Sequence, residues 1–315
     1  MNDFFFIKEY VDRIFSVGDK TDHEKIAEDF VSDIHDAMDN ARFENFLIVS
    51  GFIPDLYAIN SGKEKLFAKL IEGVVKEWAV RIGSVGELIK QKSSYEDIKI
   101  TISDKIVVCD AKSNRLGRSQ PAPNPKDFLK LGDIRKWMDR YPKAIGGLIT
   151  YPCKHEWSET SDIYQYSTTK ETPSIILPYK YLAYLLHHKD SYPLRELLAL
   201  WNYEALFPHK LVKDMIGGNK IAYWNVINTI IMQITKTGID QFTSYMDIAN
   251  GLINDCVAEN LILIKKHRQE IIDKIESREN KELDIKSMRK RFIEYQIVKE
   301  TEEIDKMIKR IASFR

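Results

Sequence analysis

The sequence predicts an α/β protein: an N-terminal helical region, a small central sheet flanked by helices, and a helical C-terminal region. Three features predict it. Apolar residues recur at helical spacing as far as Ile82, the spacing drops to two at Ile98, and beyond Pro193 it returns to the helical value.

Taken in order, Ile26, Phe30, Ile34 and Met38 stand four apart and form one face of an early helix. Gly51-Phe52-Ile53-Pro54-Asp55 breaks that pattern. A longer helix is expected from Ser61 or Gly62 to about Ile82, with Leu66, Leu70, Val74 and Trp78 on its apolar face and Gly83 as its stop. In Ile98-Lys99-Ile100-Thr101-Ile102-Ser103 the apolar residues alternate, which marks a strand. A tight turn on Asp104-Lys105 leads into Ile106-Val107-Val108-Cys109, continuously apolar like a strand buried on both faces. Pro121, Pro123 and Pro125 mark a loop, and Gly132 to Tyr141 reads as a helix. Ala144 to Tyr151 and Ser174 to Leu177 read as buried strands, and Tyr179 to His188 as a helix. Long amphipathic helices near Ile248 to Ile275 and Ile285 to Ala312 complete the pattern.

The 315 residues are 44% hydrophobic and 30% charged, an ordinary balance for a soluble globular protein. No apolar run approaches the roughly 20 residues that span a bilayer. The opening Met1 to Ile7 is interrupted by Lys8 and Glu9 with nothing basic before it, so a signal peptide is not expected. Cys109, Cys153 and Cys256 are scattered and odd in number, which argues against a disulfide framework or a structural zinc site. A cytoplasmic protein is the expectation. Basic and acidic residues balance at 47 each, but not evenly. Between Ser113 and Lys143 eight basic residues face only Asp127, Asp133 and Asp139. Such a stretch neutralises phosphates, although a solvated face has the same composition.

The hairpin carries the chemistry. With the turn centred on Asp104-Lys105, Ser103 faces Ile106, Asp97 lies opposite Lys112, and Lys99 opposite Asp110. Side chains alternate along a strand, so Asp97, Asp110 and Lys112 share one face. Two carboxylates and the carbonyl of Ala111 make an oxygen-rich site for Mg²⁺, and Lys112 would orient the attacking water or meet charge developing on a phosphate. An acid two residues before a lysine occurs four times in the chain, so the triplet alone decides little. Asp110 differs because it ends an apolar strand and has a second acid on the neighbouring one. A sheet-edge salt bridge between Asp97 and Lys112 is the competing reading.

Asp97 followed by Asp110-Ala111-Lys112 resembles the PD-(D/E)XK nuclease pattern, a small mixed sheet flanked by helices. The chain more specifically resembles the HindIII family of type II restriction endonucleases. The likeness lies in Ile53-Pro54-Asp55, Glu64-Lys65-Leu66-Phe67-Ala68-Lys69, Asp110-Ala111-Lys112-Ser113-Asn114-Arg115-Leu116-Gly117-Arg118, Lys126-Asp127-Phe128, Trp137 and Leu200-Trp201-Asn202. The resemblance implies a homodimer that uses Mg²⁺ to cut both strands of double-stranded DNA at a short palindromic site, with AAGCTT the first to test. It implies Asp110 and Lys112 as catalytic residues, Asp97 as partner acid, Asp127 as a metal or DNA contact, and Glu64 as a supporting acid or helix-surface salt-bridge partner. Arg115 and Arg118 would then position the DNA backbone, while Asn114, Asn124 and Lys126 would meet base edges. The corresponding regions are 1–60 helical, 61–190 catalytic core, and 191–315 helical, for packing, DNA clasping or dimerisation. Two departures stand out: Glu96 replaces the proline of the broad pattern, and the loop from Ser119 to Lys126 is longer than in the family's namesake.

Two other readings stay open at this level: a repair or nicking nuclease of the same fold, and a non-catalytic helical interaction protein. His187-His188 reads as helix surface rather than a metal pair, because adjacent helical residues face apart. Tyr164, Tyr166, Tyr179, Tyr181 and Tyr184 read as core or rim packing rather than base stacking. Gly217-Gly218-Asn219-Lys220 lacks phosphate-loop spacing and reads as a turn.

Overall fold

Alternating and continuous apolar runs become a five-stranded sheet in the computed structural model, which describes residues 3–18, 22–90, 94–117, 124–153, 168–206, 220–279 and 286–314. Four helices come first: α1 (Phe6–Val17), α2 (His23–Ala37), α3 (Asn40–Val49) and α4 (Gly62–Arg81). Asp22, Asp39 and Ser61 cap the last three by accepting backbone N–H groups that have no partner within the helix. The sheet follows as β1 (Val85–Leu88), β2 (Ile98–Ile102), β3 (Lys105–Ala111), β4 (Ala144–Tyr151) and β5 (Ser174–Pro178), ordered β1-β2-β3-β4-β5. Neighbours are antiparallel from β1 to β3 and parallel from β3 to β5, as expected of short hairpin links followed by longer crossovers. The β3–β4 crossover carries α5 (Pro125–Phe128) and α6 (Leu131–Met138). After β5 come α7 (Tyr179–His187), α8 (Lys220–Thr235), α9 (Ile239–Glu279) and α10 (Lys286–Ala312).

The α/β expectation holds. One strand escaped it: β1 is short and lies at the sheet edge, and its Val85-Gly86-Glu87-Leu88 carries too little apolar alternation to announce itself. One continuous apolar core unites α1–α4, the sheet, α7, α8 and much of α9. No helix among the described residues is long and apolar enough to cross a membrane.

The hairpin register differs from the expected one. Ile102 pairs with Lys105, Lys99 with Val108 and Ile98 with Cys109, so the turn is centred on Ser103-Asp104. Ser103 adopts a left-handed φ of +57°, which a two-residue hairpin loop uses at its first central position. Asp97 is therefore level with Asp110 rather than Lys112, and Lys99 does not face Asp110. Each pairing moves by two residues, and a two-residue move keeps every side chain on its original face. The partner changed and the shared face survived.

Candidate active site

β3 delivers Asp110 and Lys112 to one place because they are two residues apart on a strand. Asp110 is buried, and its Oδ2 lies 2.6 Å from the Lys112 ammonium. Asp97, just before β2, has its main-chain N–H donating to the Cys109 carbonyl at 3.1 Å, while its own Oδ2 accepts from Ala111 N–H at 2.9 Å. The expected triad of Asp97, Asp110 and Lys112 is thus assembled at the exit of β3, with Asp97 bonded to the main chain between the other two.

A further acid joins them from α4. Glu72 pairs with Lys69 at 2.6 Å, and its charge bears on Asp97. Burial is the main force pushing the Glu72 carboxyl up to about 7; Lys69 opposes the rise and Asp110 adds to it. Asp97 keeps some exposed surface, but its carboxylate is enclosed. Burial first, then the negative charges of Glu72 and Asp110, hold it well above the usual carboxylate range. Glu72 was missed in the sequence, although a signal existed. It is a lone acid inside Leu70-Ile71-Glu72-Gly73-Val74-Val75, and an acid within an apolar helical run is buried unless the helix turns it outward.

Glu64, two turns earlier on α4, does other work. Its main-chain N–H donates to Ser61 Oγ at 3.3 Å, and its carboxylate accepts from Asn60 N–H at 2.5 Å, a reciprocal helix cap. The same carboxylate takes Arg115 at 3.1 Å. Arg115 also donates to the carbonyls of Pro54 and Tyr57 at 3.0 and 2.8 Å, so its guanidinium is turned into the protein. Glu96, where the broad pattern has proline, points away from the cluster toward Tyr141 and Arg140.

Asn114 is fixed through its backbone, with N–H to Gly51 O at 2.9 Å and its carbonyl to Ile53 N–H at 3.0 Å. Asn124 is exposed at the head of α5. Arg118 and the side chains of Lys126 and Asp127 lie outside what is described, as do Tyr164, Tyr166 and Gly217-Gly218-Asn219. Phe128, beside Asp127, packs edge-on against Tyr151 at 5.4 Å, which brings α5 to the end of β4. His187 meets Glu44 at 2.9 Å on a helix surface. Tyr179, Tyr181 and Tyr184 are core residues.

The cluster gathers three carboxylates and two ammoniums, an excess of negative charge in a desolvated place. Among the described residues no three acidic, histidine or cysteine side chains stand as a ready-made metal cage; Lys112 and Lys69 close on the carboxylates instead. The donors are all hard oxygens, and the carboxylates outnumber the ammoniums beside them, so the residues fit Mg²⁺. Compared with known protein families, the chain matches the model described as HindIII restriction endonuclease over residues 8–292 of 315. No curated protein matches it.

Proposed function

The chain belongs to the HindIII restriction endonuclease family, and on that premise we propose that it is a type II enzyme making Mg²⁺-dependent double-strand cuts at a short palindromic DNA site. The observation that carries this reading is the meeting of Asp110, Lys112 and Asp97 at the end of β3, with the charge of Glu72 bearing on Asp97. Hydrolysis forms a bond from water oxygen to phosphorus and breaks one P–O bond of the backbone. Asp97, Asp110 and the main-chain carbonyl of Ala111 would hold the ion, with Glu72 beside them and Asp127 a further candidate from α5. Bound Mg²⁺ supplies Lewis acidity and charge neutralisation at the scissile phosphate. Lys112, a donor without acceptor capacity, orients the attacking water or meets charge developing on the phosphoryl oxygens. The short Asp110–Lys112 pair keeps that ammonium at the site before DNA arrives.

Arg118, Asn114, Asn124 and Lys126 are proposed to meet DNA. Arg115 serves mainly to brace the loop, given its partners Glu64, Pro54 and Tyr57. A homodimer would place one such cluster on each strand of a palindrome. The test is digestion of plasmids of known sequence with Mg²⁺ or with EDTA, followed by sequencing of the ends. Discrete fragments with identical ends, AAGCTT being the first site to look for, support the reading. Ragged or single-strand breaks point to a repair or nicking enzyme, and DNA intact under every divalent metal points to a non-catalytic protein.

A further inference from the structure

Lys112 lies just past the end of β3, where the sheet no longer supplies partners to both of its main-chain groups. Its N–H still reaches the Thr150 carbonyl at 2.8 Å. Its carbonyl is taken by the hydroxyl of Tyr179, which donates to it at 2.6 Å from the first residue of α7. Tyr179 is fully buried, and β4 lies between its own strand connection and β3, so the ring reaches across the sheet end to make this bond. The fold makes room for it. Gly51 has a φ of +88°, and a Cβ there would stand 2.5 Å from Tyr179 Cε2. The same glycine accepts the N–H of Asn114 at 2.9 Å, so one turn both seats the tyrosine ring and catches the chain two residues after Lys112. Burial, together with the charges of Asp97, Asp110 and Glu72, raises the phenol's pKa well above its ordinary value, as expected of a neutral donor at the back of an acidic cluster.

We propose that Tyr179 is a positioning residue for cleavage: by holding the Lys112 carbonyl, it fixes the main chain from which the Lys112 ammonium reaches Asp110 and the reacting phosphate. The inference rests on the role given to Lys112 above. A core-filling role is the alternative, and the same helix provides a matched comparison. Tyr184 is also fully buried, and its hydroxyl bonds Thr237 Oγ1 at 2.6 Å, away from the cluster. Tyr179→Phe and Tyr184→Phe each delete one buried hydrogen bond and cost comparable stability.

The experiment measures single-turnover cleavage of a DNA duplex, binding of that duplex in EDTA, and melting temperature. Tyr179→Phe is predicted to cleave about tenfold more slowly, the effect of about 1.4 kcal/mol at the transition state, with unchanged DNA affinity. Tyr184→Phe is predicted to melt lower while cleaving at the wild-type rate. Should Tyr179→Phe fail to fold, 4-fluorophenylalanine in place of Tyr179 fills the hydroxyl's space without donating, and 4-aminophenylalanine restores a donor. The first should be slow and the second within about twofold of wild type. Wild-type cleavage without a donor at 179, or an equal loss in Tyr184→Phe, would overturn the proposal. Lys112→Ala separates the two levels. If it is inactive while the donor-free variants are fast, only the role of Tyr179 fails; if it cleaves normally, the reading of the site fails as well.

Discussion

Asp55 is buried beneath the loop that follows β3, and replacing it with asparagine should change how stability depends on pH. Both its carboxylate oxygens accept the Gly117 N–H at 3.1 Å, and Asn260 of α9 donates to one of them at 3.3 Å. Burial outweighs these bonds and the nearby Arg115 and Arg310, pushing the carboxyl from 3.8 up to about 6. The folded chain therefore binds this proton more tightly than the unfolded chain. That preference favours folding at low pH and is lost as pH rises through about 6. The gap corresponds to about 3 kcal/mol, of which about 2 kcal/mol falls between roughly pH 4.5 and 7.5. In Asp55→Asn the titration is absent, while an acceptor for Gly117 remains. Urea unfolding of both proteins across that range should show the wild type losing about 2 kcal/mol relative to the variant as pH rises. A flat difference, or one that grows in the wild type's favour, would mean the two arginines hold Asp55 ionised and that burial does not dominate.

Other consequences are as direct. Glu72→Gln should raise the Mg²⁺ concentration needed for half-maximal cleavage by about tenfold or more, as read from a metal titration of the initial rate; an unchanged titration would separate Glu72 from the metal. Arg115→Ala should lower stability by about 2 kcal/mol, since Glu64 and two carbonyls lose a buried charged partner. Its DNA affinity should keep the wild-type dependence on salt, whereas a shallower slope would show that Arg115 contacts phosphate. Gly146→Ala should cost about 3 kcal/mol or more in urea unfolding, because a Cβ there collides with the Pro173 carbonyl and the Trp201 ring.

Much of this was legible in the sequence for reasons of period. The strands from Ile98 onward, the helix begun at Ser61 and the common face of Asp97, Asp110 and Lys112 all follow from spacing, which fixes side-chain direction whatever the partner. The exact register did not follow. It depended on whether Ser103 would accept a left-handed backbone, and nothing in Ser103-Asp104-Lys105 advertises that as glycine would have. Arg115 read as a phosphate ligand because its charge was visible and its neighbours were not: Glu64, Pro54 and Tyr57 are more than fifty residues away in sequence. Tyr179 was read correctly as a core residue, yet the work of its hydroxyl depends on a carbonyl two strands away.

The proposed role of the β3 cluster is hydrolysis of DNA. Its most direct test is single-turnover cleavage of a site-bearing duplex in Mg²⁺ by the wild type, Asp110→Asn and Lys112→Ala, with duplex binding measured in parallel in EDTA. Both variants are expected to bind the duplex as the wild type does and to cut it at least about a hundredfold more slowly. Cleavage by either variant at the wild-type rate would place the chemistry elsewhere.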